Sequence, residues 1–348
     1  MKKSNETQSC SAPNLTLISN SFSTSKCKII AIANQKGGTA KTTTACNLGY
    51  AIARSVAAES GCQNENNGKN VLLVDMDSQG NLSMVSGIES PDHLEISISD
   101  LLLTVMEGED LPAKEEYIYP AKRMGADATT SSSKNHKGRV DILPSNIKLA
   151  NTAIALQNAM NREFVLKTLL DPLREHYDYI IIDCSPTLGL TTLNALTACD
   201  EVIIPVSPEH WAVVGMTDLV KTIQKIKRLK INPELTIAGV LMTKVNRQTN
   251  LYKDIRANVE ESFGRHLTVF STEIPEGTAV GVANFTSTSI VEGNPKAKAA
   301  IAYVELANEL IQNKRSDAND DLSTNDGSGL CESKHETHAN EPLKGDVA

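Results

Sequence analysis

The sequence predicts an α/β fold: a single doubly wound, mostly parallel sheet flanked by helices. Three observations carry that expectation. Short β-branched runs recur along the chain: CKIIAIA (27–33), VLLVD (71–75), VDIL (140–143), YIIID (179–183), VIIPV (202–206) and TIAGVLM (236–242). They are apolar throughout rather than alternating, as strands covered on both faces are. Helical patterns separate them, and such alternation builds one sheet with helices on both sides.

Taken in order, the first run leads into ANQKGGTAKTTT (33–44). A standard phosphate loop, G-x-x-x-x-G-K-[ST], would need glycine at positions 35 and 40. Gln35 and Ala40 stand there, and the glycines are Gly37 and Gly38. The stretch nevertheless follows a buried strand and opens a helix, which is the setting that gives the motif its chemistry. Gly37 and Gly38 let backbone N–H groups turn inward around phosphate oxygens, and the helix start adds the positive end of its dipole. Lys41 would reach the β/γ-phosphates and Thr42 would bind Mg²⁺. The helix itself carries Ala45, Leu48, Ile52 and Val56 as a stripe facing the sheet. The second run continues as VLLVDMDSQGNLS (71–83), ending in Asp75 and Asp77 at the carboxyl edge, where ligands of doubly wound sheets bind. YDYIIIDCSPTLGLTTLNAL (177–196) places Asp183 at the end of another strand. Farther on, DLVKTIQKIKRLK (218–230) reads as a helix with Leu219, Ile223, Ile226 and Leu229 toward the core. Lys221, Lys225, Lys227, Arg228 and Lys230 gather elsewhere on it, either as a solvated face or as a DNA-backbone patch that Lys296 and Lys298 could extend.

Composition narrows the remaining classes. The chain has 348 residues, 40% of them hydrophobic and only 4% aromatic. No run approaches the roughly 18 apolar residues that a membrane span requires, and the first 26 residues lack the apolar stretch of a secretory signal. The seven cysteines are scattered and never spaced C-x-x-C, which fits reduced thiols in a cytoplasm better than disulfides or zinc. Cys46 and Cys184 sit among apolar neighbours and read as small core residues. Net charge is −8, so any nucleic-acid contact requires a local basic patch. Residues 1–26 and 314–348 are polar and predicted to be disordered, the latter acidic, leaving 27–313 as one domain. The segments 59–70 and 125–138 read as polar loops.

The spacing K-G-G-x-x-K-T, led by Lys36, resembles the deviant Walker A loop of ParA/MinD-class P-loop ATPases. VLLVDMDSQGNLS resembles that family's second motif, with Ser78 in place of a proline. YDYIIIDCSPTLGL resembles its Walker B and switch region. Segments 200–216, 231–250 and 271–311 look like ParA partition ATPases in particular. The resemblance implies ATP and Mg²⁺ as ligands, with residues Gly37, Gly38, Thr39, Ala40, Lys41, Thr42 and Thr43 around the phosphates. It implies Thr42 and Asp183 at Mg²⁺, Asp75 supporting Mg²⁺ or the loop, and Asp77 orienting the attacking water. Thr243, Asn246 and Pro275 would fall near the base. Lys36 would cross an ATP-dependent homodimer to the partner's phosphates, as an arginine finger does. A ParB-like activator, non-specific DNA and a cytoplasmic, nucleoid-associated location are the implied partners and place, with no membrane. Two departures stand out. Ala40 replaces the usual glycine, and in IPEGTAVGV (274–282) Ala279 and Val282 replace an arginine associated with DNA and a glutamate. The alternatives are a ParA-like ATPase that positions a protein assembly, or a nucleotide-gated module with little turnover. The acidic end argues against a MinD-like membrane helix. The cysteine placement argues against an iron–sulfur reductase, and the absence of a tyrosine cluster after Tyr303 argues against a tyrosine kinase.

Overall fold

The computed structural model describes residues 27–55, 68–122, 138–209 and 212–323. The strands are β1 (Lys28–Ile32), β2 (Val71–Met76), β3 (Tyr119–Pro120), β4 (Val140–Leu143), β5 (Tyr179–Cys184), β6 (Glu201–Val206) and β7 (Thr236–Met242). They form one sheet in the order β3-β4-β2-β5-β1-β6-β7. Every pairing is parallel except that of β3 with β4. All six apolar runs are thus strands. The addition is β3, whose two residues carry no pattern of their own.

The α-helices are α1 (Lys41–Arg54), α2 (Asn81–Val85), α3 (Ile98–Glu107), α4 (Leu149–Ala155), α5 (Val165–Leu170) and α6 (Leu190–Ala198). They continue with α7 (Ala212–Arg228), α8 (Asn250–Phe263), α9 (Thr278–Phe285), α10 (Ile290–Gly293) and α11 (Lys298–Ser323). Strands β2, β4 and β5 are buried at every position, which explains why their sequences do not alternate. Ile29, Ala31, Leu72, Val74, Ile180 and Ile182 pack into the core beneath the carboxyl edge.

Three expectations are refined. Ala45, Leu48 and Ile52 are fully buried, but so are the residues between them, so α1 is covered all round rather than along a stripe. Its outer cover is polar and specific. Asn47 Oδ1 accepts from Ser289 Oγ at 2.7 Å and from the Ile290 N–H at 2.8 Å, tying α10 to α1. In α7, Leu219, Ile223 and Ile226 are buried, yet Leu229 is 56% exposed. The helix ends at Arg228 and Lys230 takes a left-handed φ of 56°. The Ile231 N–H closes back on Ile226 O at 3.1 Å, so the turn swings Leu229 out of the stripe. Cys46 and Cys184 are buried free thiols, as are Cys27 and Cys199.

Two compact units divide the chain, Met1–Glu309 and Leu310–Ala348. In the second, the described residues continue α11 to Ser323, past the boundary drawn from composition. Residues 1–26 and 324–348, Val56, most of the two polar loops, and Cys10, Cys62 and Cys331 lie outside the described residues. No described helix is long and apolar enough to cross a membrane.

Candidate functional site

The site is assembled by sheet register. Asp183 at the end of β5 is the direct partner of Asp75 on β2 and of Ile32 on β1. The loop after β1 therefore opens beside two carboxylates. Its conformation explains the unusual spacing. Gly38 has φ 77° and Ala40 has φ 64°, both left-handed, and a Cβ on Gly37 would project into open space. Helix α1 then starts without any side-chain cap, so its first N–H groups remain available to an anion.

Around this corner lies a cleft of about 610 Å³, within the roughly 300–1,000 Å³ typical of small-molecule sites. Gly37, Gly38, Ala40, Lys41, Thr42, Thr43, Asp77 and Pro275 all line it. Thr39 does not; it is buried, and its backbone oxygen accepts from Thr243 Oγ1 at 3.1 Å. Thr243 thus braces the phosphate loop from β7 rather than facing the cleft. Asn246 is exposed and outside the lining. Sequence reasoning missed Gln79, Asn81, Pro186, Lys244, Glu276 and Tyr303, which also line the cleft. Gln79 and Asn81 stand within the quoted motif, whereas Lys244 and Tyr303 arrive from distant parts of the chain. The Lys244 ammonium lies 4.0 Å from where a Gly38 Cβ would be, which adds a third positive charge to the loop's surroundings.

The electrostatics fit a charged ligand. Lys41 is nearly buried, and its Nζ donates to the Lys36 carbonyl at 3.0 Å. Burial lowers its pKa, against the pull of Asp183 and Asp77. Both Asp183 oxygens are buried without a hydrogen-bond partner of ordinary geometry. Burial first, then the Asp75 charge, push its pKa well above the usual range, although the nearby Thr42 hydroxyl favours the charged form. A buried carboxylate without partners is costly, and a cation beside Thr42 would relieve it. The donor set of hard oxygens matches Mg²⁺.

Asp75, expected to support Mg²⁺ or the phosphate loop, directs its hydrogen bonds to the segment that follows its own strand. Its Oδ2 accepts from the Ser83 N–H and Ser83 Oγ, both at 2.8 Å, and its Oδ1 from the Asp77 N–H at 3.1 Å. Ser83 Oγ in turn accepts from the Ser145 N–H at 2.9 Å. Burial raises the Asp75 pKa to about 6 despite these bonds. Asp77 itself holds the Gln79 N–H at 3.0 Å and faces the cleft. Lys36 is paired with Glu209 of its own chain. That contact, with the Ser207 hydroxyl donating to Glu209 at 2.9 Å, depresses the Glu209 pKa.

A glycine-turned corner after a central parallel strand, an uncapped helix, a buried lysine and an aspartate on the adjoining strand define the class: a P-loop nucleoside triphosphatase. The comparisons refine it. The AAA domain family (AAA_31) matches residues 27–237. Sporulation initiation inhibitor protein Soj of Bacillus subtilis is 37% identical over 82% of this chain and 99% of its own length. Chromosome partitioning protein ParA of Myxococcus xanthus is 34% identical over 82% of this chain and 88% of its own. Among solved structures, cobyrinic acid a,c-diamide synthase from Mycobacterium smegmatis, with bound ATP analogue and magnesium, aligns with TM-score 0.63. It is 32% identical and covers 83% of this chain and 96% of that one. MinD from Pyrococcus furiosus shares the fold at TM-score 0.57. The chain belongs to the Soj/ParA family of P-loop ATPases.

Proposed function

We propose that this chain is an ATP-driven dimerisation switch that partitions DNA, with slow hydrolysis accelerated by a ParB-like partner. The observation that carries the ATPase reading is the buried Asp183 carboxyl group near Lys41 and Thr42, whose oxygens lack a hydrogen-bond partner of ordinary geometry. Backbone N–H groups of residues 37–43 and the Lys41 ammonium would hold the phosphates. Thr42 and Asp183 would hold Mg²⁺, which when bound neutralises charge developing on the transferring phosphoryl group. Asp77 would orient the attacking water from its place in the cleft wall. Lys36 would leave Glu209 and reach across to a second copy's phosphates. Pro275 would lie against the base, with Asn246 at the outer margin and Thr243 supporting the loop from behind. Slow turnover suits such a device, because the lifetime of the ATP dimer carries the signal. The place of action would be cytoplasmic, on the nucleoid.

The test is Lys41→Ala. We expect ATP binding by calorimetry to disappear and phosphate release to fall to background. Unchanged affinity would remove the loop from the site.

One observation favours a second reading, a related ATPase that positions a protein assembly. Helix α9, which holds Ala279 where the family resemblance implies a DNA-associated arginine, has no cation. It instead exposes Val282 at 61% and Phe285 at 91%. Binding of random-sequence duplex that is ATP-dependent and steep in salt supports the DNA reading. Its absence, in a protein that still binds ATP, supports the second.

A further inference from the structure

A groove of about 860 Å³ lies between the 157–163 segment, α6 and the carboxyl end of α7. Its floor is aliphatic: Leu188, Leu190, Leu193, Ile226, Leu229 and Ile231 line it. Four of these, Leu188, Leu190, Leu193 and Ile231, are only partly buried against the core, and Leu229 is the residue that the end of α7 swings outward. One edge is cationic. The groove-facing positions are Thr222, Lys225 and Ile226 on α7 and Leu229 just beyond it, and helical spacing sets Lys221, Lys225 and Arg228 along a single flank of that stripe. All three are exposed. The acids nearby are already engaged: Asp218 lies 3.9 Å from Lys221, and on the opposite lip Glu163 bonds Arg162 at 3.1 Å. That lip is fixed, because Asn194 of α6 donates to Arg162 O at 2.7 Å and accepts from the Leu166 N–H at 3.0 Å.

We propose that this groove docks an acidic, amphipathic segment of a partner protein, with its apolar side on the leucine floor and its carboxylates along Lys225 and Arg228. The chemistry favours a protein over a nucleic acid. No aromatic residue lines the groove to stack a base, and a phosphate backbone gains nothing from an aliphatic floor. Docking also reaches the nucleotide. Pro186 lines the phosphate cleft, while Leu188, Gly189 and Leu190 line the groove. One loop, anchored at Asp183 by β5 and held by the Thr192 hydroxyl on Thr187 O, therefore walls both cavities. A ligand that binds one position of this loop better than another shifts it at the other cavity. This coupling, unlike the docking itself, rests on the ATPase reading.

The test uses the full chain with MgATP and three fluorescein-labelled probes. These are a helix-forming leucine/glutamate peptide of about 18 residues, a span of roughly 27 Å, its leucine/lysine counterpart, and a random-sequence DNA duplex. By anisotropy, the acidic peptide should bind saturably and the basic one should not. Combined Lys225→Glu and Arg228→Glu should weaken the acidic peptide about tenfold, as should Leu229→Asp, while Lys227→Ala on the far face changes nothing. Saturating acidic peptide should change phosphate release by roughly twofold or more. No saturable binding, equal binding of both peptides, or insensitivity to the double variant overturns the proposal. So does a duplex that binds, and is lost in the same variants, where the peptide is not bound. Peptide binding with unchanged phosphate release overturns the coupling. Absence of phosphate release even without peptide counts against the ATPase reading and leaves the binding result standing.

Discussion

Alanine at position 40 is held at φ 64° immediately before α1, a backbone region that costs an L-residue roughly 1–2 kcal/mol. The loop tolerates this because the rest of it is over-determined. Thr243 holds Thr39 O, Lys41 holds Lys36 O, and Asn34 accepts from the Lys36 N–H at 3.0 Å. Ala40→Gly should therefore stabilise the protein by about 1 kcal/mol, read as a Tm higher by about 2 °C, with ATP binding kept or improved. A large loss of binding would mean the alanine is a specific adaptation. At the neighbouring carboxylates, Ser83 is the hinge of a relay from Ser145 through Asp75 to the Asp77 backbone. Ser83→Ala should lower kcat about tenfold while leaving ATP affinity unchanged, and Ser83→Thr should restore it. A fall in affinity instead would make Ser83 part of the binding surface. Much of this was legible at the residue scale. Lys41 and Thr42 were named from the setting of the loop, and Asp77 and Asp183 from strand ends together with the resemblance to ParA/MinD-class ATPases. Lys244 and Tyr303 were not, because a residue that enters a cleft from a remote element leaves no local pattern.

At the scale of elements, hydrophobic runs located six strands because each is buried on both faces over most of its length, and they failed for β3, whose Tyr-Pro pair has no periodicity to read. Helix ends were harder. The sequence stripe runs on through Leu229, but a left-handed Lys230 ends the pattern one turn earlier, and only the backbone reveals it. The full burial of α1 also escaped the sequence, since its outer face is closed by hydrogen bonds rather than by an apolar stripe. Asn47 is the centre of that closure, donating to Thr43 O at 2.8 Å while accepting from Ser289 and Ile290. Asn47→Ala leaves buried donors on α10 without a partner and should cost about 2 kcal/mol. Denaturant unfolding measures this, and a change below roughly 0.5 kcal/mol would show that α10 is held by its apolar contacts instead.

For the whole molecule, parallel register brings Asp75 and Asp183 side by side at the carboxyl edge next to the turn after β1, and the cleft sits at that edge. The same edge presents Lys36, paired in this chain with its own Glu209. A lysine engaged within its own chain is free to act in a second copy only after that pair opens, so nucleotide state and assembly are linked in the proposed switch. The most direct measurement is the solution mass of Asp77→Ala by light scattering, with MgATP and then with MgADP. We expect a dimer with MgATP, because the variant binds but does not hydrolyse, and a monomer with MgADP. The same mass in both nucleotides, in a protein that binds each of them, would contradict an ATP-driven dimerisation switch.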